Sequence, residues 1–563
     1  MTSSEVWNRV LGHARTQPKH CAVLGDGGPM SYGELAALAA ELASQLLTHG
    51  VRPGNFVAIV ANRSPATIVA MLATLSIGAG YAPISPAIPE QRKRAMLRAV
   101  RPATVVETHN GTFKITGRGS ETTRTSSIPP GWIVFTSGTT GTPKGVLIAQ
   151  RSLEWHARTM SCAFQLGRSD SVLHAAGIDF DVAAEEIWPT LYSGATIVIL
   201  GTPLGSIDYP TFTEFLSGRG VSICNLPSSY FAGWAHVLES NAVTLPSVRL
   251  VIAGSESLPL EAAISWTSRP DRPSLMNAYG ISEATVTSIL TTVRAERLIG
   301  EGRVPIGRAL PGVRCRLVDA DLRPLANGCH GELVLGGEGL ALEYLDDEPL
   351  TAARFSTDES GERWFATGDI VTQHGTELYF GRRVDEQINY LGYRIEPNEI
   401  RSALLATSAV VDARVLLVDR ELVACVVAPQ DVDTGQLERD LRAKLPKYMI
   451  PAAILRFDGF PTTSGGKVDQ ARLLSDARTR LTSPSPERLG TTPVIDEVVA
   501  MARLVVGDAV QDGNTHFFHA GGTSLAAARF VAAINRRYGI SATLDTVFAA
   551  PVLRDLTERL RDE

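Results

Sequence analysis

Cysteine is scarce and unpaired in this chain. The 563 residues contain six cysteines scattered along the length, and no two of them form a Cys-x-x-Cys pair. This spacing excludes the dense disulfide framework of small secreted domains and the paired ligands of a structural zinc site. We therefore expect reduced thiols and a cytoplasmic location.

Long apolar runs and an excess of positive charge are also lacking. No uncharged apolar segment approaches the ~20 residues that a membrane span requires, and the N-terminal residues do not resemble a signal peptide. The formal net charge of −6 argues against nucleic acid or an anionic membrane as a partner. With 44% hydrophobic and 20% charged residues, the composition is that of a soluble globular protein.

The chain is too long for one hydrophobic core, and at roughly 100–200 residues per domain we expect three or more domains. Ser31 and Glu34 form a capping box that predicts a helix ending near Gly50. Strand-like runs, such as 195–200 and 249–253, alternate with helical stretches to about residue 380. This alternation indicates a layered α/β domain with a largely parallel sheet. The polar segment 109–131 predicts a loop.

The most informative segment is Phe135-Thr136-Ser137-Gly138-Thr139-Thr140-Gly141-Thr142-Pro143-Lys144-Gly145, which follows a short strand-like run. Its glycines let the backbone wrap an anion, its hydroxyls donate hydrogen bonds and its lysine supplies charge. It is not a Walker A loop, because a proline precedes the lysine and a glycine follows it. A flexible surface loop is the alternative. The segment resembles the phosphate-binding loop of the adenylate-forming superfamily, whose members activate carboxylic acids as acyl-AMP.

Further segments resemble, in order, the core motifs of amino-acid adenylation domains from nonribosomal peptide synthetases. Asn277-Ala278-Tyr279-Gly280-Ile281-Ser282-Glu283 resembles Asn-x-Tyr-Gly-Pro-Thr-Glu, Thr367-Gly368-Asp369 resembles the ribose-binding motif, and Ser464-Gly465-Gly466-Lys467-Val468-Asp469 resembles Asn-Gly-Lys-Val-Asp. The resemblance implies ATP and Mg²⁺, with Glu283 helping to hold the metal. Such a glutamate suits a hard cation that prefers oxygen ligands.

The resemblance also assigns roles to single residues. Lys467 is the expected catalytic lysine, since it would stabilise the charge that builds on the phosphoryl oxygens. Asp385 falls at the family's hinge between a large and a small subdomain. The expected nucleotide-binding residues are Thr136, Ser137, Gly138, Thr139, Thr140, Gly141, Lys144, Asn277, Ala278, Tyr279, Gly280, Ser282, Asp369 and Arg383.

The substrate pocket is expected around Phe180-Asp181, which matches the pair whose aspartate binds the α-ammonium of an amino acid. A buried carboxylate requires a cationic partner, so Asp181 favours an amino acid over a fatty or aryl acid. Matching of neighbouring motifs places Asp181, Val182, Glu185, Ser229, Val251, Ala253, Ala278, Val286 and Thr287 around the substrate. Glu185 either lines the pocket and favours a basic side chain, or faces solvent beside Glu186.

The last seventy residues resemble a carrier protein. Asn514-Thr-His-Phe517-Phe518-His-Ala-Gly521-Gly522-Thr523-Ser524-Leu525 is similar to Asp-x-Phe-Phe-x-x-Gly-Gly-x-Ser-Leu, whose serine carries 4′-phosphopantetheine. Alternatively, Ser524 caps a helix, and both roles are compatible because a helix N-terminus favours a phosphate. This motif implies a phosphopantetheinyl transferase as a partner.

The resulting expectation is an α/β protein of three parts. A large multi-layer adenylate-forming domain covers 1–383, a small mobile α/β subdomain 384–478, a linker 479–493 and an all-α, four-helix carrier domain 494–563. The expected activity is ATP-dependent amino-acid adenylation and thioester loading on Ser524. The expected partners are the amino acid, an MbtH-like activator protein, and downstream tailoring or condensation enzymes.

Two rival functions stay open at this point. An aryl- or acyl-CoA ligase would need neither Asp181 nor Ser524. A non-catalytic carrier or scaffold would explain the departures from the family pattern at Ala366, Leu342-Glu343 and Asn389.

Overall fold

A computed structural model describes most of the chain. The described residues are 4–109, 111–117, 123–138, 143–240, 244–298, 302–319, 321, 323–326, 328–385, 387–390, 392–407, 409–419, 421–430, 432–461, 468–482, 493–507, 509–522, 524–538, 540 and 542–561. They divide into two compact units. The first comprises residues 1–136, 143–201 and 216–386, and the second comprises 137–142, 202–215 and 387–563.

The first unit alternates helices and strands, as the sequence predicts. Its helices are α1 (Glu5–Thr16), α2 (Tyr32–Thr48), α3 (Pro65–Ser76), α4 (Glu90–Val100), α5 (Gln150–Ala163), α6 (Asp181–Ser193), α7 (Tyr209–Gly218, which begins in the second unit), α8 (Ser228–Ser240), α9 (Leu260–Thr267) and α10 (Glu348–Arg354).

The strands of the first unit are β1 (Cys21–Gly25), β2 (Gly28–Ser31), β3 (Phe56–Val60), β4 (Gly80–Ile84), β5 (Thr104–His109), β6 (Thr112–Thr116), β7 (Pro130–Thr136), β8 (Lys144–Ala149), β9 (Ser171–His174), β10 (Thr196–Ile199), β11 (Ile223–Pro227), β12 (Leu250–Gly254), β13 (Ser274–Ile281), β14 (Val286–Thr292), β15 (Arg308–Ala309), β16 (Val313–Val318), β17 (His330–Gly337), β18 (Glu343–Tyr344), β19 (Phe355–Thr357), β20 (Arg363–His374) and β21 (Glu377–Arg383).

These strands form three sheets. One has the order β15-β14-β13-β12-β11-β9-β10-β1-β2 and another the order β18-β8-β7-β4-β3-β5-β6. Their central pairs are parallel and their outer pairs antiparallel. The third sheet, β16-β17-β20-β19 with β21 beside β20, is antiparallel. Helix α3 is buried along nearly its whole length, as expected of a helix that lies within an apolar core.

The second unit contains a smaller α/β part and a helical part. Its strands are β22 (Ile388–Tyr390), β23 (Tyr393–Ile395), β24 (Asp412–Val418), β25 (Glu421–Val427) and β26 (Ala453–Phe457), and its helices are α11 (Pro397–Leu405), α12 (Thr434–Lys444), α13 (Gln470–Thr482), α14 (Ile495–Val506), α15 (Ser524–Tyr538), α16 (Leu544–Ala549) and α17 (Leu553–Arg559). The order β24-β25-β26 makes a three-stranded sheet, and β22 pairs with β23.

Local sequence signals predict these elements well. The capping box forms at α2, where the Ser31 side chain accepts from the Glu34 N–H and Glu34 accepts in return. The predicted α/β fold class with a C-terminal four-helix part is confirmed. The loop prediction for 109–131 is wrong in part, because Thr112–Thr116 forms β6 against β5. Its alternating Phe and Ile residues are good strand formers despite the polar neighbours.

Candidate active site and carrier domain

The first turns of α6 place two acidic side chains along one cavity. Asp181 is the first residue of the helix and Glu185 lies four positions later, so both project from the same helix face. The cavity opens to solvent, and the empty space within and at its mouth amounts to about 350 Å³. It is lined by Asp181, Val182, Glu185, Asn225, Gly254, Ser255, Ala278, Gly280, Val286 and Thr287.

Six of the nine predicted pocket residues therefore line this cavity. The other three occupy different surroundings. Val251 and Ala253 are fully buried in β12, and the backbone N–H of Ser229 donates to Glu256 at 3.1 Å. Their contact with a substrate stays a prediction. Asn225, which the sequence motifs do not single out, lines the cavity from β11.

Backbone geometry shapes the part of the cavity wall that the β13–β14 hairpin forms. Gly280 pairs with Thr287 across the β13–β14 hairpin, at a register shift. A Cβ atom at residue 280 would overlap the carbonyl oxygen of Val286, so the hairpin requires glycine there. Val286 itself has φ of +66°, which is unusual for a β-branched residue. Such strain is typical of sites where the surrounding structure fixes a functional geometry.

Asp181 is a carboxylate without a cationic neighbour in the described structure. Its Oδ2 accepts a hydrogen bond from the hydroxyl of Ser282. Burial raises the pKa of Asp181, and the nearby charges of Glu283 and Glu185 raise it further, although the Ser282 hydrogen bond opposes them. No Lys, Arg or His side chain among the described residues forms an ion pair with it. Among the side chains that the structure describes, the charge of Asp181 is therefore uncompensated.

Glu185, in contrast, already has partners. Its Oε2 lies 2.9 Å from Nε2 of His156, and its Oε1 accepts from Nδ2 of Asn225 at 2.9 Å. His156 belongs to α5, which packs along α6, and both side chains are almost fully buried. The alternative in which Glu185 faces solvent beside Glu186 is wrong, because both glutamates are buried.

The predicted ribose-binding residue Asp369 is buried within a hydrogen-bonded group. The Tyr279 hydroxyl donates to its Oδ2 at 2.5 Å, and Nη1 of Arg383 donates to its Oδ1 at 2.6 Å. Burial raises the pKa of Tyr279 well above its ordinary value, and the charge of Asp369 acts in the same direction. Arg383 also pairs with Asp385, which lies 3.6 Å from Arg354. Three predicted nucleotide-binding residues thus meet at one place.

The remaining residues of the Asn277–Glu283 motif have specific contacts. Asn277 is buried, and its side chain donates to the Pro305 carbonyl at 2.7 Å. Glu283 is 1% exposed, and its Oε1 accepts from the hydroxyl of Tyr344 at 2.6 Å. Ser282, predicted at the α-phosphate, points to Asp181. Its contact with phosphate stays a prediction.

The predicted phosphate loop is only partly described. Thr136 ends β7 and Lys144 begins β8. Within the second unit, the Gly138 N–H donates to Oε2 of Glu399 at 3.0 Å, and Ser137 accepts from the Glu396 N–H at 3.1 Å. Thr139, Thr140, Gly141 and the catalytic candidate Lys467 lie outside the described residues.

In the helical part of the second unit, α15 begins at Ser524. Two glycines precede this helix. Gly521 has φ of +95°, and a Cβ atom at Gly522 would clash with the ring of the buried Phe517. The glycines thus permit a close turn against Phe517 that leads into the helix. Ser524 is at a helix N-terminus, where backbone N–H groups favour a phosphate.

Comparison with known proteins agrees with this arrangement. Residues 11–345, more than half of the chain, match the AMP-binding enzyme family, and residues 496–560 match the phosphopantetheine attachment site. Syringomycin synthase SyrB1 of Pseudomonas syringae pv. syringae is 30% identical over 94% of this chain and 91% of its own length. This chain belongs to the nonribosomal peptide synthetase family.

Other synthetases of the family are much longer. CymA of Salinispora arenicola, described as a probable non-canonical nonribosomal peptide synthetase, is 30% identical over 99% of this chain, which spans only 7% of CymA. The solved structure of holo-PA1221, a protein with adenylation and carrier domains, matches the fold with a TM-score of 0.77 at 23% identity, covering 100% of this chain and 97% of that one.

This synthetase chain therefore carries an adenylate-forming domain and a carrier domain. The family implies ATP and Mg²⁺ for the first and 4′-phosphopantetheine for the second. The glycine turn before Ser524 fits the attachment of the arm. For Mg²⁺, Glu283 would supply a carboxylate oxygen, the kind of ligand that this cation prefers. Its coordination of the metal stays a prediction.

The structure and the family models bear on two further expectations. No helix in the described part of the chain is both long and apolar enough to span a bilayer. The family models match inside the predicted adenylation and carrier regions, whereas the boundaries at 383, 478 and 493 stay predictions.

Proposed function

We propose that this chain activates an amino acid with ATP and loads it onto the phosphopantetheine arm of its own carrier domain. The substrate carboxylate attacks the α-phosphorus of ATP, the bond to the bridging oxygen breaks, and diphosphate leaves. Ser524 would hold the phosphopantetheine arm, and the arm would supply a thiol as the nucleophile for the second half-reaction. In that transfer the acyl carbon would exchange its bond to the AMP oxygen for a bond to sulfur, with release of AMP and of the thiol proton.

The uncompensated Asp181 carboxylate carries this proposal. A partly exposed carboxylate on a cavity wall, with two further acids nearby, is stabilised when a ligand brings a cation. The α-ammonium group of an amino acid is such a cation. An aryl or acyl acid offers only its own negative charge to the same wall, so Asp181 disfavours the CoA-ligase alternative.

The proposed roles of the other residues follow from their chemistry. Lys467 and residues 136–144 would organise the phosphates, Glu283 would contribute an oxygen ligand to Mg²⁺, and Asp369 would accept from the ribose hydroxyls. Asp385 would serve as the hinge between the two half-reactions. An MbtH-like activator, a phosphopantetheinyl transferase and downstream enzymes are the proposed partners.

Amino-acid-dependent ATP–diphosphate exchange tests the first half-reaction. The full chain is assayed with each proteinogenic amino acid and ornithine, with and without an MbtH-like protein. We expect exchange above the background with at least one amino acid. Exchange with carboxylic acids that lack an ammonium group, and with no amino acid, would support the ligase alternative instead.

Intact-protein mass spectrometry tests the second half-reaction. Incubation with a phosphopantetheinyl transferase and CoA should add one arm, and later incubation with ATP and the amino acid should add one aminoacyl group. The Ser524→Ala variant should retain exchange but gain neither mass. Absence of both exchange and loading in the holo-protein would favour the non-catalytic scaffold.

A further inference from the structure

The buried side chains behind the cavity bear on substrate selection by the proposed adenylation activity. Asp181 and Glu185 are one helical turn apart, which corresponds to about 6 Å along the α6 axis. If Asp181 binds the α-ammonium, Glu185 lies one turn further along the same wall. That is the distance over which a short amino-acid side chain extends.

Two neighbours fix the position of Glu185. His156 reaches it from α5 and Asn225 from β11, each at 2.9 Å and each on a different carboxylate oxygen. His156 is 1% exposed and Glu185 is 3% exposed. Because both oxygens are held, the carboxylate cannot rotate freely, yet each oxygen retains a second lone pair for a ligand.

The next residue on α6 shows a contrasting arrangement. Glu186 is also buried, and its Oε2 lies 2.6 Å from Nδ1 of His174. Its carboxylate accepts from the backbone N–H of Ala176 as well. Glu186 does not line the cavity. One helix therefore carries two glutamate–histidine pairs, and only the Glu185–His156 pair borders the substrate cavity.

We propose that His156 and Asn225 are positioning residues that hold Glu185 as a fixed hydrogen-bond acceptor for the substrate side chain. The cavity then selects amino acids whose side chain ends in a hydrogen-bond donor, either a hydroxyl or an ammonium group. An aliphatic side chain of the same shape would displace water from the remaining lone pairs of Glu185 without replacing its hydrogen bonds, so such a side chain is disfavoured. This inference rests on the proposed amino-acid activation.

The test compares isosteric substrates in the exchange assay on the full chain. Threonine is paired with valine for the hydroxyl donor, and ornithine is paired with norleucine for the ammonium donor. For at least one pair, the kcat/KM of the donor should exceed that of its isostere by about tenfold or more. The pair that shows this preference identifies the donor as hydroxyl or ammonium.

Variants then separate positioning from general stability. His156→Phe removes the N–H that donates to Glu185. It should lower the ratio of kcat/KM between the donor-bearing amino acid and its isostere at least about threefold, mainly through KM. His156→Gln keeps an N–H donor and should restore most of the ratio. His174→Phe is the matched control, which alters the second glutamate–histidine pair and should leave the ratio unchanged.

Glu185→Gln keeps the test decisive if His156→Phe does not fold. It preserves size but removes the charge, and the ratio should fall, more for the ammonium pair than for the hydroxyl pair. Exchange with amino acids at a ratio near one would overturn the inference while sustaining the proposed function. Equal changes in ratio for the His156 and His174 variants would also overturn it. Failure of every amino acid to support exchange would refute both.

Discussion

Replacing Asp181 by asparagine isolates the contribution of its negative charge to amino-acid binding. The substitution preserves size and one carbonyl oxygen, so the Ser282 hydroxyl retains an acceptor. A hydrogen bond to a charged group contributes about 1.5–3 kcal/mol. Asp181→Asn should therefore reduce kcat/KM for the amino acid by about 10- to 150-fold, since each 1.4 kcal/mol corresponds to a factor of ten. The KM for ATP should change little.

The pH dependence of exchange gives a second measurement of the same charge. Only ionised Asp181 attracts an ammonium group, and its pKa in the free protein is raised by burial and by Glu283 and Glu185. Hence kcat/KM should fall as the pH drops through that raised pKa, beginning at a higher pH than for an ordinary aspartate.

The matched control is Ser282→Ala, which removes the hydrogen bond and keeps the charge. Ser282→Ala should reduce kcat/KM by less than Asp181→Asn does. It should also move the acid limb of the pH profile to higher pH, because the Ser282 hydrogen bond opposes the rise in the Asp181 pKa. The reasoning would be refuted if Asp181→Asn left the amino-acid KM unchanged, or if its acid limb matched that of the wild type.

Three further substitutions test other parts of the structure. Gly280→Ala should destabilise the first unit by about 1–3 kcal/mol or more, measured by thermal unfolding, because the added Cβ overlaps the Val286 carbonyl oxygen; an unchanged melting temperature would contradict the hairpin geometry. Burial raises the pKa of Glu421 to about 7, so the folded state retains a proton that the unfolded chain loses, and wild-type stability should fall as the pH rises from about 4.5 to 7. Glu421→Gln should remove this pH dependence and raise the free energy of unfolding, measured in urea, by up to about 3 kcal/mol at pH 8. Parallel pH profiles of stability for the variant and the wild type would contradict this assignment. The Gly138 N–H, a predicted phosphate donor, is engaged by the Glu399 carboxylate. Glu399→Gln makes a weaker acceptor, so the N–H should be more available to ATP and the KM for ATP should fall about twofold to tenfold. A higher KM would show that Glu399 supports nucleotide binding instead.

Signals that act over a few residues account for what the sequence predicts correctly. The Ser31–Glu34 capping box spans three residues and fixes the start of α2. The buried runs at β10 and β12 are short, apolar and flanked by turn residues. The helix predicted after the carrier-motif glycines begins at Ser524, where the backbone can close against Phe517.

Contacts between distant segments account for what the sequence does not predict. His156 and Glu185 are 29 residues apart on two helices, and Tyr344 and Glu283 are 61 residues apart. Both separations are much longer than the local motifs from which the sequence predictions are made. The one available signal is chemical: two adjacent glutamates with apolar residues on both sides require buried partners, and histidines are available for both.

The partners of the three acids on α6 suggest how a substrate would be oriented. Glu185 contacts His156 and Glu186 contacts His174, whereas no basic side chain of the described structure pairs with Asp181. A zwitterionic ligand can place its ammonium group against Asp181 alone. Its carboxylate is then repelled by the nearby acids and turns away from α6. The same field that attracts the ammonium group would thus orient the reacting carboxylate before ATP is engaged, and a simple carboxylic acid would meet only repulsion.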